Sequence, residues 1–257
     1  MAFSRRLDVS DLDVALPDDE LPDYDAAAAP AYRPEDYDVP LQTYHLRQIN
    51  RKLQIFVPLG PLPSPSYKVR YNGASRIFSK KPQMELVRCQ YANAVEDGAA
   101  SLCFVNDGPL PWRPRAQFTH FEPGGPKTHA MESRNFSDWT VAFEGTNYVW
   151  ALEARPISLA LSEKATGLVV ARFIYSARGT LAKDGAEVGE LVIYPDVLSL
   201  TMQGVERILG GLLVAVAHMK NMGRHYWNEN GPARANSLPR EPLAMNNRAA
   251  SVSYSNV

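Results

Sequence analysis

The sequence predicts a mainly β fold: a roughly twelve-stranded antiparallel barrel that encloses a C-terminal hydrophobic helix. Short runs of alternating apolar and polar residues fill much of the chain between residues 41 and 194, as in antiparallel sheets. An uncharged run follows from Ile208 to Ala217, and a helix with apolar residues on every face must be surrounded by protein. Closure of the strands around this helix would bury it and would leave no exposed sheet edge.

The predicted strands are separated by turn residues, and two of them give a hairpin signal. Residues 67–71 and 75–79 alternate on either side of Asn72-Gly73, which predicts a two-residue hairpin turn. The full set of predicted strands is 43–50, 53–57, 67–71, 75–79, 84–90, 100–106, 115–121, 128–133, 139–144, 148–154, 157–161, 167–175, 179–182 and 187–194.

The helix is predicted over residues 205–222. Its uncharged part rises about 15 Å, half of a bilayer's hydrocarbon core, so we expect no membrane span. Gly210 and Gly211 are expected to let strands approach the helix closely. A lumen filled by this helix leaves little room for a ligand, so binding is expected on the outer surface. The residues expected to fill the lumen are Ile208, Leu209, Leu212, Leu213, Val214 and Val216.

Charge and composition divide the chain into three parts. The net charge is −1, but residues 1–38 hold eleven acidic and three basic residues, a net charge of −8, which leaves +7 for the rest. Residues 1–40 form an acidic tail rich in proline and alanine, and residues 228–257 form a polar tail; both are predicted to be disordered. Residues 41–227 are predicted to form the barrel domain.

The two cysteines, Cys89 and Cys103, are too few for a disulfide framework or a zinc site. Both lie among apolar residues, which favours buried free thiols in a reducing compartment. The first residues lack the apolar core of a signal peptide. We therefore expect a cytoplasmic protein, in part at the inner face of the plasma membrane.

The sequence does not contain a recognisable catalytic constellation. The five histidines lack metal-ligand spacing, and neither a phosphate-binding loop nor a nucleophile elbow is present. We therefore expect no enzymatic activity, no catalytic residue, no metal and no cofactor. One alternative stays open: His120 and His129 could pair with Glu122 or Glu132 across a hairpin, and a deep polar pocket around them would favour an enzyme.

A basic cluster is the strongest functional signal. Residues 41–90 hold nine basic residues and one acidic residue. Lys68 and Arg70 share a strand face, and Arg76 is predicted to lie across the Asn72-Gly73 turn. This surface suits the phosphate groups of lipids; nucleic acid is a weaker candidate because no face of base-stacking aromatic residues is evident. Alternatively, it is a solvated face balanced by the acidic tail. The predicted anion-binding and lipid-binding residues are Lys68, Arg70, Arg76, Lys80 and Lys81.

A short motif in the acidic tail predicts a protein partner. Leu21, Pro22 and Tyr24 lie in an extended acidic segment that is similar to the PY-type ligands of WW domains. This motif supports an alternative function, a protein-interaction scaffold that recruits a WW-domain protein and does not bind lipid.

Several segments resemble the tubby C-terminal-like proteins of fungi, in residues and in order. These segments are 43–48, 77–86, 139–150, 159–173 and 189–193, followed by the hydrophobic helix. The resemblance implies a barrel of about twelve strands around a central helix, the fold shared by tubby, LURP-one-related and phospholipid-scramblase proteins. It also implies binding of phosphoinositides at a membrane surface, with the basic cluster as the nearest counterpart in character. The chain continues some 35 residues past the helix, unlike many such barrels.

Overall fold

Twelve antiparallel strands close into a barrel around one α-helix in the computed structural model of the chain, which confirms the predicted fold class. The structure describes residues 39–60, 64–72, 82–90, 95–105, 115–133 and 138–229. Apart from residues 39, 40, 228 and 229, the two predicted tails lie outside the described residues. So do the Leu21–Tyr24 motif and the predicted strand 75–79.

Each strand pairs with its neighbours along the chain, and β1 pairs with β12 to close the barrel. This up-and-down order allows every strand to bond on both edges. The strands are β1 (Gln42–Asn50), β2 (Leu53–Leu59), β3 (Ser66–Tyr71), β4 (Met84–Gln90), β5 (Val95–Val105), β6 (Arg115–Glu122), β7 (Gly125–Glu132), β8 (Asp138–Phe143), β9 (Thr146–Ala154), β10 (Ile157–Glu163), β11 (Val169–Tyr175) and β12 (Glu187–Ile193).

The predicted hairpin at Asn72-Gly73 is wrong. Strand β3 pairs with β4, with Tyr71 opposite Met84, so the strand that follows β3 in the sheet is not 75–79. Asn72 closes a longer connection instead: its backbone N–H donates to the Gln83 carbonyl (3.0 Å) and its side chain to the Pro82 carbonyl (2.9 Å). The apolar residues of β4 that face the lumen outweigh the local turn preference, because their burial stabilises this register.

The predicted strand 179–182 is also wrong, because residues Gly179–Leu181 form a 3-10 helix. Gly179 has a φ of +47°, a conformation that glycine adopts readily and other residues avoid. A Cβ atom at this position would lie 1.8 Å from the Tyr226 carbonyl oxygen. The connection between β11 and β12 therefore turns tightly here and packs against the chain that follows the helix.

Helix α1 (Met202–Asn221) runs through the lumen, three residues longer at its start than predicted. The Thr201 hydroxyl caps it by accepting a hydrogen bond from the Gly204 N–H at 3.0 Å. All six residues predicted to fill the lumen are buried. Among the described residues, no helix is long and apolar enough to cross a bilayer.

The barrel has two ends, which α1 distinguishes. Because successive connections of an up-and-down barrel alternate between ends, α1 begins at the end that holds turns 123–124 and 144–145. It finishes at the end that holds turn 51–52, connection 176–186 and segment 222–229. We call these the helix-start end and the helix-finish end.

The two cysteines are buried and free, as predicted. Cys103 lies opposite Met84, whereas Cys89 lies opposite Glu96, so the thiols occupy different places along the paired strands β4 and β5. Burial raises the pKa of Cys103 to about 12, which keeps its thiol protonated and unreactive at neutral pH.

Two glycines let aromatic rings contact the helix, as the sequence predicted. A Cβ atom at Gly210 would lie 2.8 Å from Cδ2 of Phe118, and one at Gly211 would lie 2.8 Å from Nε1 of Trp150.

We expect Gly210→Val to lower the free energy of unfolding by about 1–3 kcal/mol, because the Phe118 ring is packed and cannot move away. Urea denaturation measures this change. Gly124→Val is the control, because a Cβ atom there meets open space; an equal loss in both variants would contradict the packing argument.

His218 predicts a pH dependence of stability. Its ring packs edge-on against Trp139 at a centroid distance of 4.6 Å, and burial lowers its pKa to about 4, with a further contribution from Arg224. In the unfolded chain His218 binds a proton near pH 6.5, whereas in the folded chain it does so only near pH 4. The folded state therefore loses stability as the pH falls from about 6.5 to about 4. Between pH 7 and pH 5, urea denaturation should show a loss of stability that is about 2 kcal/mol smaller in His218→Gln than in the wild-type chain. The same pH dependence in His218→Gln would assign it to other groups.

Candidate functional site

The structure places Lys68 and Arg70 on the outer face of β3, as the alternation predicted. Their neighbours Tyr67 and Val69 face the lumen and are buried. Arg76, Lys80 and Lys81 lie outside the described residues, so the predicted convergence of all five basic residues stays a prediction.

One part of the reasoning for this cluster is wrong. Arg76 was predicted to lie across the Asn72-Gly73 turn from β3, but β3 pairs with β2 and β4, and the cross-strand neighbours of Arg70 are Leu53 and Glu85. The acidic Glu85 reduces the local positive potential on β3. The strand face alone is therefore a weaker cationic site than the sequence suggested.

Basic residues are concentrated at the helix-finish end of the barrel. In the connections that the structure describes, with the last turn of α1, this end carries seven basic and two acidic residues. The described connections at the helix-start end carry one basic residue, Lys164, and two acidic residues, Glu144 and Asp196. The charged residues at the helix-finish end are Arg51, Lys52, Arg155, Arg178, Lys183, Lys220, Arg224, Asp184 and Glu229.

A cavity of about 530 Å³ opens at the helix-finish end. Arg51, Lys183 and Lys220 line it together with one carboxylate, Asp184. The C-terminus of α1 adds roughly half a negative charge, so three cations still exceed the negative charge at the cavity. The cavity therefore suits an anion, and its volume lies in the range of pockets that hold small molecules.

The cavity wall is fixed by the chain on both sides of it. Ser176 accepts hydrogen bonds from the N–H groups of Arg178 (3.2 Å) and Gly179 (3.0 Å) through its hydroxyl. The Gly185 N–H donates to the Gln48 carbonyl at 2.5 Å, which joins the connection before β12 to the end of β1. The loop that carries Lys183 is thus held by backbone bonds and does not depend on a ligand for its shape.

The segment after α1 returns across the same end and is anchored by Asn228. Its side chain donates to the carbonyls of Tyr175 (2.6 Å) and Ile157 (3.0 Å) and accepts from the Ile157 N–H (2.8 Å). The folded contacts therefore reach one residue beyond the predicted domain boundary at 227.

Two apolar side chains, Leu181 and Trp227, remain 49% and 43% exposed at this end. An end with both basic and exposed apolar side chains is typical of surfaces that contact lipid headgroups.

A second polar feature lies inside the barrel near the start of α1. The carboxylate of Glu206 is fully buried. Its Oε1 accepts from Arg88 (Nη2 at 2.6 Å) and from the Tyr67 hydroxyl (3.2 Å), and its Oε2 lies 2.8 Å from Nε2 of His120. The Arg88 side chain is 23% exposed, and its charge is paired with this buried carboxylate, so it adds little to the basic surface that the sequence predicts. A buried carboxylate is tolerated because its oxygens are paired in this way.

The same network continues to the helix-start surface through Arg207. This guanidinium lies 2.6 Å from Glu122 and 2.7 Å from Glu144. Burial tends to raise the pKa of Glu122, but hydrogen bonds from Arg207 and His120 outweigh it and hold the pKa below its ordinary value. His120 joins the two parts of the network, since its Nδ1 lies 3.3 Å from Oε1 of Glu122 and its Nε2 lies 2.8 Å from Oε2 of Glu206.

The groups named for the enzyme alternative have different surroundings. His120 is enclosed between carboxylates, as the alternative with Glu122 anticipated. His129 packs between Phe118 and Phe143, and burial lowers its pKa. Glu132 pairs with Arg115 on the outer surface at 3.2 Å. Within the described ranges, no group of three or more potential metal ligands is present.

Sequence reasoning missed both the cavity and the network. Lys183, Lys220 and Glu206 are not among the predicted site residues. The signal that could have found the network is the position of Glu206 and Arg207 within the first turns of an enclosed helix, where charges need partners.

No protein-family profile, curated protein or solved structure matches this chain. The resemblance to tubby-type barrels therefore stays a prediction. The barrel around a helix is a matter of architecture, and an architecture does not by itself define a family or a function.

The pairing of Glu206 predicts a large stability effect. We expect Glu206→Gln to lower the free energy of unfolding by about 3–5 kcal/mol, because it leaves the Arg88 charge without its buried partner. Glu144→Gln is the matched control, since Glu144 also pairs with an arginine but its side chain is 64% exposed; we expect a loss of about 0–1 kcal/mol. Urea denaturation compares the two variants, and similar losses in both would show that the buried network does not anchor α1.

Proposed function

We propose that the protein is a non-enzymatic barrel that binds phosphoinositide-containing membrane surfaces through its helix-finish end. The observation that carries this proposal is the convergence of Arg51, Lys183 and Lys220 on one cavity. Three cations at one mouth attract a ligand with several phosphate groups, such as a phosphorylated inositol headgroup.

The surroundings of the cavity favour a lipid surface over a free anion. Leu181 and Trp227 are exposed beside the basic residues and can enter the interfacial layer while the headgroup occupies the cavity. Lys68 and Arg70 lie on the outer face of β3, and Arg70 is one residue from the helix-finish end, so they extend the positive surface along the barrel wall. The resemblance to tubby-type proteins suggests the same class of ligand.

Binding at this end leaves the lumen filled and the interior network intact. The cytoplasmic leaflet is the anionic surface that this proposal requires. A second function, recruitment of a WW-domain protein by Leu21, Pro22 and Tyr24, stays a prediction from the sequence.

Liposome flotation tests the proposal. We expect recovery with phosphatidylcholine vesicles that contain a phosphoinositide and little recovery with phosphatidylcholine alone, at moderate salt. Each basic residue near the surface contributes about 1 kcal/mol, so the double variant Arg51→Ser, Lys183→Ser should bind about 25-fold more weakly.

The control for this experiment removes the same charge from the other end of the barrel. Lys127→Ser with Lys164→Ser changes two exposed lysines at the helix-start end and should leave flotation unchanged. Equal recovery of the wild-type chain with and without phosphoinositide would exclude lipid recognition. Equal losses of liposome binding in the two double variants would show non-specific electrostatic attraction rather than binding at the cavity. A third double variant, Lys68→Ser with Arg70→Ser, measures the contribution of β3.

A further inference from the structure

One acidic side chain lines the basic cavity at the helix-finish end. Asp184 shares the cavity wall with Arg51, Lys183 and Lys220. In the part of the chain that the structure describes, no hydrogen bond or ion pair joins its carboxylate to any of these three cations. Asp184 therefore adds an unpaired hydrogen-bond acceptor to a site that otherwise attracts anions.

The backbone holds Asp184 at the tip of a tight turn. Asp184 and Gly185 both have positive φ, +41° and +85°, and the Ala186 N–H donates to the Lys183 carbonyl at 2.9 Å. These features define a type I′ turn. Residues other than glycine rarely adopt positive φ, and asparagine and aspartate are among those that do so most readily. The turn therefore accounts for the size of residue 184 but not for its charge, because asparagine would fit equally well.

A matching turn at the helix-start end shows a carboxylate that the fold does use. Glu144 and Gly145 have φ of +50° and +88° in the turn between β8 and β9. The Glu144 carboxylate pairs with Arg207 of α1 at 2.7 Å. Within the described ranges, Glu144 and Asp184 are the two residues other than glycine with positive φ. One carboxylate stabilises the position of the helix, whereas the other faces a cavity and remains available to a ligand.

A carboxylate beside three cations changes which anions the cavity favours. An ionised carboxylate accepts hydrogen bonds and cannot donate them, so it repels a phosphate group that offers no proton. It attracts a hydroxyl group, which donates to it. A ligand with both phosphate and hydroxyl groups therefore satisfies the cations and the carboxylate together. A ligand with phosphate groups alone leaves the repulsion uncompensated, and specificity is the difference between these two affinities.

We propose that Asp184 determines the specificity of the cavity for a phosphorylated polyol. Its carboxylate accepts hydrogen bonds from ring hydroxyl groups, while Arg51, Lys183 and Lys220 bind the phosphates. This role rests on the proposed function, because Asp184 belongs to the same site. It adds that anionic headgroups without ring hydroxyls, such as phosphatidic acid, bind more weakly than their charge alone would give. A phosphoinositide headgroup and a soluble inositol phosphate share the required chemistry.

Isothermal titration calorimetry of the full chain with two soluble ligands tests this role. Inositol 1,4,5-trisphosphate carries ring hydroxyls beside its phosphates, whereas tripolyphosphate carries phosphates and no alcohol group. We expect the wild-type chain to prefer the inositol ligand. Asp184→Asn should reduce the ratio of the two affinities about tenfold, because it removes a charged acceptor for the hydroxyls and the repulsion of tripolyphosphate.

The variants are chosen to keep the turn and to separate local from general charge effects. Asparagine adopts the same backbone conformation, and Asp184→Gly, which also fits positive φ, should reduce the ratio similarly. Glu229→Gln is the matched control, because Glu229 lies at the same end but outside the cavity lining. It should strengthen both ligands alike and leave the ratio unchanged. An unchanged ratio in both Asp184 variants, or an equal reduction in Glu229→Gln, would overturn the proposal.

Flotation of the same proteins with phosphoinositide vesicles distinguishes this role from membrane binding. A preference for inositol trisphosphate that Asp184→Asn reduces, without recovery of the wild-type chain on vesicles, would support a polyol site and exclude lipid recognition. Recovery on vesicles with an unchanged ratio in the Asp184 variants would exclude the role of Asp184 and retain lipid recognition. A wild-type chain that binds neither soluble ligand nor vesicles would exclude both.

Discussion

Enclosure of α1 within the strands is the constraint on which the rest of the structure depends. The helix presents apolar residues on every side, so water must be excluded around its whole circumference, and a closed sheet does this without exposed edges. Close contact then requires glycine where rings of the wall meet the helix, as at Gly210 with Phe118 and Gly211 with Trp150. Any charge carried into the lumen by the helix must bring its partners, which explains the pairing of Glu206.

This constraint separates the two ends of the barrel in charge. At the helix-start end, Arg207 forms ion pairs with Glu122 and Glu144, and Arg88 forms an ion pair with Glu206. These charges are therefore paired within the protein. At the helix-finish end the described basic residues outnumber the acidic ones, and three of them border a cavity. Interior electrostatics thus stabilise the position of α1, whereas the excess of basic residues at the opposite end supports the proposed binding of an anionic ligand.

The wall of the barrel is divided as well. The outer faces of β2 and β3 remain accessible to water, but the outer face of β10–β12 is buried. Because α1 fills the lumen, the proposed lipid binding uses the surface at the helix-finish end.

The sequence alone determined the barrel, the enclosed helix, the buried thiols and the outward direction of Lys68 and Arg70, because these follow from periodicities of 2 and 3.6 residues and from local composition. It misassigned the pairing that follows Asn72 and the conformation of residues 179–182, where turn preference competes with long-range pairing and with the close approach of Tyr226 to Gly179. Only the tertiary structure decided that Arg51, Lys183 and Lys220 share a cavity and that Arg88 and His120 share Glu206. These residues are far apart in the chain, and their proximity depends on which connections meet at the same end of a closed barrel.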